Sequence, residues 1–272
     1  MVMFLKKFWF LAFICVFISA CASTGDEDLT VYPDPDTNIS TVKIKEQETV
    51  EKLYLKAFNA LKNDKPVESA NLFNEVEKQF PYSQWATRAQ MMSGYAYYSD
   101  MKYDDAVLAL DRFIKLHPGN KDISYAYYLR AISYYEQISD VRRDQKMTEL
   151  ALNSLQTVVD RFPGTKYARD ASLKIDLTRD HLAGKDMEIG RYYLIRGHYH
   201  ASINRFKKVI DEYQTTTHVP EALHRMVEAY LSLGIETEAQ KTAAILGHNF
   251  PGSKWYGYSY ATLKGEGIEP AD

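Results

Sequence analysis

Apolar residues recur along this chain at spacings of three and four, with polar residues between them, in blocks that share one internal register. That spacing predicts amphipathic helices rather than strands. In each block a small residue is followed twelve positions later by a proline or its stand-in: Ser69 and Pro81, Ala106 and Pro118, Ala151 and Pro163, Ser202 and Gln214, Ala239 and Pro251. Phe80, His117, Phe162, Tyr213 and Phe250 precede the closing positions. Phe73, Leu110, Leu155, Phe206 and Ala243 stand eight residues before them, and Val76, Phe113, Val158, Val209 and Leu246 stand five before. A register kept through so many positions is an internal repeat. Stacked helical repeats build long concave surfaces, which turns attention from catalysis to binding.

The register continues upstream. Ala57, Gly94, Gly190 and Val227 lie twelve residues before the small residue, and Ala60, Tyr97, Tyr193 and Tyr230 follow three later; an insert displaces the equivalents Ala131 and Tyr134. Each unit reads as two helices, brought close by small residues and closed by a proline that cannot continue a helix. The units resemble tetratricopeptide repeats. The expectation is an all-α fold: a right-handed superhelix of five tetratricopeptide-like helix pairs, an α-solenoid closing near residues 81, 118, 163, 214 and 251. The third unit carries an insert around Ser139 to Thr148, which neutral loop growth and a functional role explain about equally well. A lead-in from Lys166 to Lys185 is expected to lengthen the first helix of the fourth.

The ends are built differently. Lys6 and Lys7 precede an apolar run from Phe8 to Ile18, and Ile18-Ser19-Ala20-Cys21 ends it with small residues. This predicts a signal peptide over 1–20. Cys21 resembles the acylated cysteine of a bacterial lipobox, carrying diacylglycerol and an N-acyl chain; an ordinary signal peptide with a chance cysteine is the alternative. The other cysteine, Cys15, lies within the segment to be removed, so the mature chain has no partner for a disulfide. Ala22 follows Cys21, where an aspartate commonly signals inner-membrane retention in enterobacterial lipoproteins; the expected destination is therefore the inner leaflet of the outer membrane. Residues 21–42 read as an acidic, proline-containing tether, 43–264 as one elongated solenoid domain, and 265–272 as a frayed tail.

Composition narrows the function. Without Lys6 and Lys7 the chain has 31 basic against 36 acidic residues, a formal charge of −5, which argues against nucleic acid. No Gly-x-Ser-x-Gly elbow, phosphate loop or His-Glu-x-x-His motif occurs, so no catalytic residues, metal or cofactor are expected. His198 and His200, two apart, fall on different sides of a helix. Asp104, Asp105, Asp64 and Glu238 are read as turn or early-helix acids. Tyrosine is the outlier, with 21 against 12 Phe and 3 Trp. Its apolar ring and polar tip suit half-exposed grooves.

Signal, tether and repeats together resemble the BamD family of outer-membrane lipoproteins over nearly the whole chain. Local echoes are Ala96-Tyr97-Tyr98, Asp111-Arg112-Phe113-Ile114 with His117-Pro118, Asp140-Val141-Arg142-Arg143-Asp144-Gln145, Arg161-Phe162-Pro163 and Asn204-Arg205. The resemblance implies a non-enzymatic adaptor on the periplasmic face of the outer membrane. It would bind BamA through that partner's membrane-proximal POTRA domain, work beside other Bam lipoproteins, and help receive and insert unfolded β-barrel precursors. Arg196, Asn204 and Arg205 fall where the family couples to BamA. On that reading, Arg205→Glu is expected to weaken BamA binding with little change in unfolding. A lipoprotein of another envelope system, such as a pilus-secretin pilotin or a peptidoglycan-linked scaffold, is the alternative.

First helices line the concave face in tetratricopeptide geometry. Positions six and three before, and one and four after, their small residue select Glu51, Tyr54, Phe58 and Leu61; Arg88, Met91, Tyr95 and Tyr98; and Tyr125, Tyr128, Ile132 and Tyr135. An aromatic groove with one guanidinium suits a precursor's apolar, aromatic end and its carboxylate. Packing between repeats is expected to consume about half of these rings.

Overall fold

Each closing position ends a helix with the same backbone turn. Phe80, His117, Phe162, Tyr213 and Phe250 cap their helices at φ between −125° and −136° and ψ between 45° and 55°. A following proline forces its predecessor out of the α region. Tyr213 takes the same geometry before Gln214, so the seating of the aromatic ring also holds the turn.

The computed structural model describes residues 49–269. The expected signal segment, Cys21 and the tether lie outside the described residues. The described residues form eleven helices and no strand. They are α1 Val50–Lys62, α2 Pro66–Gln79, α3 Gln84–Ser99, α4 Tyr103–Leu116, α5 Ile123–Tyr135, α6 Lys146–Arg161, α7 Lys166–Ile195, α8 Tyr199–Glu212, α9 Val219–Ser232, α10 Glu236–Asn249 and α11 Lys254–Gly265. Every helix packs on the next, and each odd-numbered helix also packs on the next odd one. Even-numbered helices stand farther apart, and long side chains bridge the gap, as where Arg112 of α4 pairs with Glu77 of α2. The closer-spaced odd row therefore lies inside the bend of an α-solenoid.

The register marks the core. Ser69, Ala106, Ala151, Ser202 and Ala239 are fully buried, as are Phe73, Leu110, Leu155, Phe206, Val76, Val158, Val209 and Leu246. Small residues on the first helices admit these side chains: a Cβ at Gly94 would stand 2.8 Å from Leu110, and one at Gly190 would run into the Phe206 ring. Between the two helices of units one, two, four and five the chain passes through a left-handed residue: Asp64, Met101, Gly197 and Gly234. Asp104 and Asp105 lie in the first turn of α4, facing its positive dipole end, and make no side-chain cap.

The lead-in does lengthen the fourth unit's first helix. α7 is 30 residues long, roughly 45 Å at 1.5 Å per residue. Ala171 and Ile175 in its first half pack with Tyr127, Ala131, Leu155 and Val158 of unit three. Ala183 and Met187 in its second half pack with Ile203, Phe206 and Val209 of unit four.

The helices α1 to α10 make the five expected pairs, and one more follows them: α11 comes after the last closing position and packs on α9 and α10, where Leu263 joins Val227, Ala239 and Ala243. One expectation needs correction, for the described part of the tail is not frayed. The Ile268 N–H donates to Leu263 O at 3.0 Å, Ile268 packs on that cluster, and the Gln240 amide donates to Glu269 O at 2.9 Å.

Candidate functional site

The first helices bring the expected groove residues together in two stretches. At the N-terminal end, Tyr54 from α1 and Arg88 and Met91 from α3 line one cleft of about 400 Å³, with Asn120, Lys121 and Asp122 along its edge. Ser83 starts α3 by accepting the Ala86 N–H, which sets Trp85 against Tyr54 at 4.8 Å between centroids. The Arg88 guanidinium lies 5.3 Å over the Trp85 ring and forms no ion pair among the described residues. Met91 is the cleft floor and also part of the core around Leu110 and Phe113. Burial pushes the Tyr54 phenol up in pKa, and Arg88 offsets part of that.

The second stretch is a row of tyrosines. Tyr95, Tyr98 and Tyr125 pack over the core of unit two, and Tyr98, Tyr128 and Tyr135 over that of unit three. Tyr98 belongs to both sets and joins them. Burial pushes the Tyr125 phenol to about 12, with Tyr95, Tyr167 and Tyr98 adding to it. Tyr128 is raised by burial and by the hydrogen bond it donates to Asp170. Tyr125 and Tyr128 are therefore neutral at ordinary pH. Phe58 stands apart: it packs on the unit-one core, covered by the Lys62 ammonium at 4.8 Å.

Trp85 and Tyr167 were absent from the sequence-derived groove. Tyr167 stacks within 5.4 Å of Tyr125 and 5.2 Å of Tyr128, extending the row onto α7. The signal was present, four residues after a closing position, where Pro81 leads to Trp85, Pro163 to Tyr167 and Pro251 to Trp255.

The three C-terminal residues do not form one cluster. Arg196 caps α7 with its guanidinium 4.5 Å over the Tyr192 ring, beside Ile195, which is 86% exposed. Gly197 is required by the turn, at φ +77°. Asn204 is exposed on α8. Arg205 instead binds Asp186 at 2.8 Å, ten residues before Arg196 on α7, about 15 Å along the helix axis. Asp186 is buried, its side chain 5% exposed, and Lys208 bonds its other oxygen at 2.9 Å. Burial alone would lower Lys208, but the hydrogen bond to Asp186 together with the charges of Asp186, Tyr213 and Glu212 outweighs it, and the ammonium is raised. Arg205 is therefore part of the packing between α7 and α8. A glutamate there would face a buried carboxylate, so the expectation that unfolding is unchanged in Arg205→Glu is corrected.

The insert lies against the same place. Arg142, Arg143, Asp144 and Gln145 line a cavity of about 420 Å³ with Lys185, Asp186, Arg205 and Lys208. Among the described residues no group of three or more His, Cys, Asp or Glu could hold a metal ion, and no helix is long and apolar enough to cross a membrane.

A family model described as an outer membrane lipoprotein, YfiO, matches residues 46–246. The outer membrane protein assembly factor BamD of Caulobacter vibrioides is 47% identical over 254 residues, 93% of this chain and 79% of that protein. The BamD of Rickettsia prowazekii is 49% identical over 212 residues, 78% of this chain and 84% of that one. The BamD of Neisseria meningitidis is 32% identical over 266 residues, 94% and 96% of the two chains. With its repeats, its tyrosine row and these relatives across most of its length, the chain belongs to the BamD family of outer membrane lipoproteins.

Proposed function

We propose that this chain is a non-enzymatic assembly factor for outer-membrane proteins, held at the periplasmic face of the outer membrane by acyl chains on Cys21. The groove of units one to three receives the C-terminal segment of an unfolded β-barrel precursor. Arg88 and Lys121 meet its carboxylate, Tyr54 and Met91 its last apolar side chain, and the row from Tyr95 to Tyr167 its upstream rings. Arg196 at the end of α7 and the exposed Asn204 on α8, with Arg205 holding α8 to α7 behind them, dock the membrane-proximal POTRA domain of BamA, beside other Bam lipoproteins. That its relatives are outer membrane protein assembly factors favours this over a pilotin or a peptidoglycan-linked scaffold.

One observation carries the groove reading: Tyr54 of α1 and Arg88 and Met91 of α3 line a single cleft with a second cation, Lys121, at its edge. Charge-assisted hydrogen bonds from a guanidinium to a carboxylate are about twice as strong as neutral ones. The test compares a barrel C-terminal peptide with its C-terminal amide. The acid is expected to bind more tightly, and Arg88→Ala to remove the difference. Equal binding of acid and amide by the folded protein would discard the carboxylate assignment.

A further inference from the structure

The Arg205 cavity holds more positive charge than its buried acid consumes. Arg205 and Lys208 are both committed to Asp186, at 2.8 and 2.9 Å. Arg142 and Arg143, from the insert, are exposed and form no ion pair among the described residues. Lys185 spends its ammonium on the Arg143 carbonyl at 3.3 Å, which is neutral. The acids nearby are Asp144 and Glu149 on the cavity wall, Asp140 at the head of the insert turn, Glu212 at 4.0 Å from Lys208, and Glu188 along α7, which already accepts from Arg191 at 2.8 Å.

The insert is built to hold these two arginines still. Gln145 is buried and its amide donates to the carbonyls of Asp140, Val141 and Arg143 at 3.2, 3.4 and 3.0 Å. Its oxygen accepts from the Thr148 hydroxyl at 2.8 Å. The Arg142 N–H donates to Asp140 Oδ1 at 2.9 Å, closing a turn. Every one of these bonds uses backbone or the Gln145, Thr148 and Asp140 side chains. The guanidiniums of Arg142 and Arg143 are left out of the scaffold and stand over the cavity.

We infer that this cavity is a docking site for an acidic segment of a partner protein, read by Arg142 and Arg143, with Arg205 acting as a positioning residue through Asp186. The inference deepens the docking reading above and rests on it. It gives the insert of unit three a use, and it places the recognition of acids on two insert residues that precede α7 rather than on Arg205. Two preorganised guanidiniums fit paired carboxylates on one strand or turn, and a single carboxylate satisfies only one of them.

The test uses the full chain in detergent with a hexaglutamate peptide as probe, titrated at low and at physiological salt. Arg142→Glu with Arg143→Glu is expected to weaken binding about tenfold, two exposed charge pairs together, and to flatten its salt dependence. The melting temperature is expected to stay unchanged, because neither side chain is bonded. Arg205→Lys, which keeps a cation for Asp186, is expected to bind nearly as the parent does. Undiminished peptide binding by the Arg142, Arg143 double variant overturns the inference, as does a loss that appears only in Arg205→Lys. The docking reading has its own arm: a photocrosslinker at exposed Asn204, in membranes, captures BamA if that reading holds. Its failure there leaves the peptide titration to decide the acid site alone.

Discussion

Tyr128 of α5 donates its phenol proton to Asp170 Oδ2 of α7 at 2.6 Å, tying the groove wall to the long helix. The same ring stacks on Tyr167. One residue therefore serves the repeat joint through its oxygen and the groove through its face.

Those two roles separate by substitution. Tyr128→Phe is expected to cost about 1.5 kcal/mol, the low end for a hydrogen bond to a charged group since Asp170 is partly exposed, and to leave peptide affinity intact. Tyr95→Ala with Tyr128→Ala is expected to lower affinity for a barrel C-terminal peptide. For each partly buried ring the stability loss is expected below the roughly 3–5 kcal/mol of a fully buried one. Calorimetry and peptide titration on the same samples check both; affinity lost equally in Tyr128→Phe would count against the face assignment.

Arg205→Glu is expected to lower stability, by somewhat less than the about 3–5 kcal/mol of breaking a fully buried pair, since Lys208 still neutralises Asp186. Arg205→Lys is expected to recover most of the loss. Chemical denaturation of the three proteins measures it, and an unchanged midpoint for the glutamate variant would show that Arg205 is not structural.

Gly190→Ala puts a methyl group into the Phe206 ring. Overpacking of this kind costs about 1–3 kcal/mol. Phe206→Leu in the same chain is expected to relieve part of the strain, so that the double variant is more stable than the two losses added. Strict additivity would mean that the two residues are not in contact.

The C-terminal helices carry an acid-sensitive group. Burial of Glu228 on α9 would raise its carboxyl, but hydrogen bonds from His224 and Arg225 outweigh this and hold it below the ordinary range. A depressed carboxylate contributes stability that is present above its unfolded value, about 4.3, and lost as pH falls through the lower folded value. Amide exchange in α9 and α11 is expected to quicken on acidification below that point, and Glu228→Gln to lose this part of the pH dependence. An identical acid response in the glutamine variant would reject the assignment.

The core was legible in the sequence because burial in a repeat is periodic: Phe206 and Val209 sit where Phe73 and Val76 sit, and all four are fully buried. Gly190 was legible for the same reason. Tyr167 was missed because the groove positions were counted from the small residue of each first helix, whereas its mark is the spacing from Pro163. α11 was missed because a terminal helix has no partner to repeat with, so the pattern stops one helix early. The pairing of Arg205 with Asp186 spans nineteen residues and two helices. It depends on how α7 rotates against α8, which spacing alone does not specify.

In most repeat arrays the unit is a removable part, bounded by loops on both sides. Here α7 serves as the stacking helix for unit three and the first helix of unit four, with no break between the two uses. Excising either unit cuts the other, so this array can gain or lose units at its ends but not at its centre. The spacing between the tyrosine row and the Arg205 cavity is thereby fixed by one continuous backbone, and the two surfaces are inherited together.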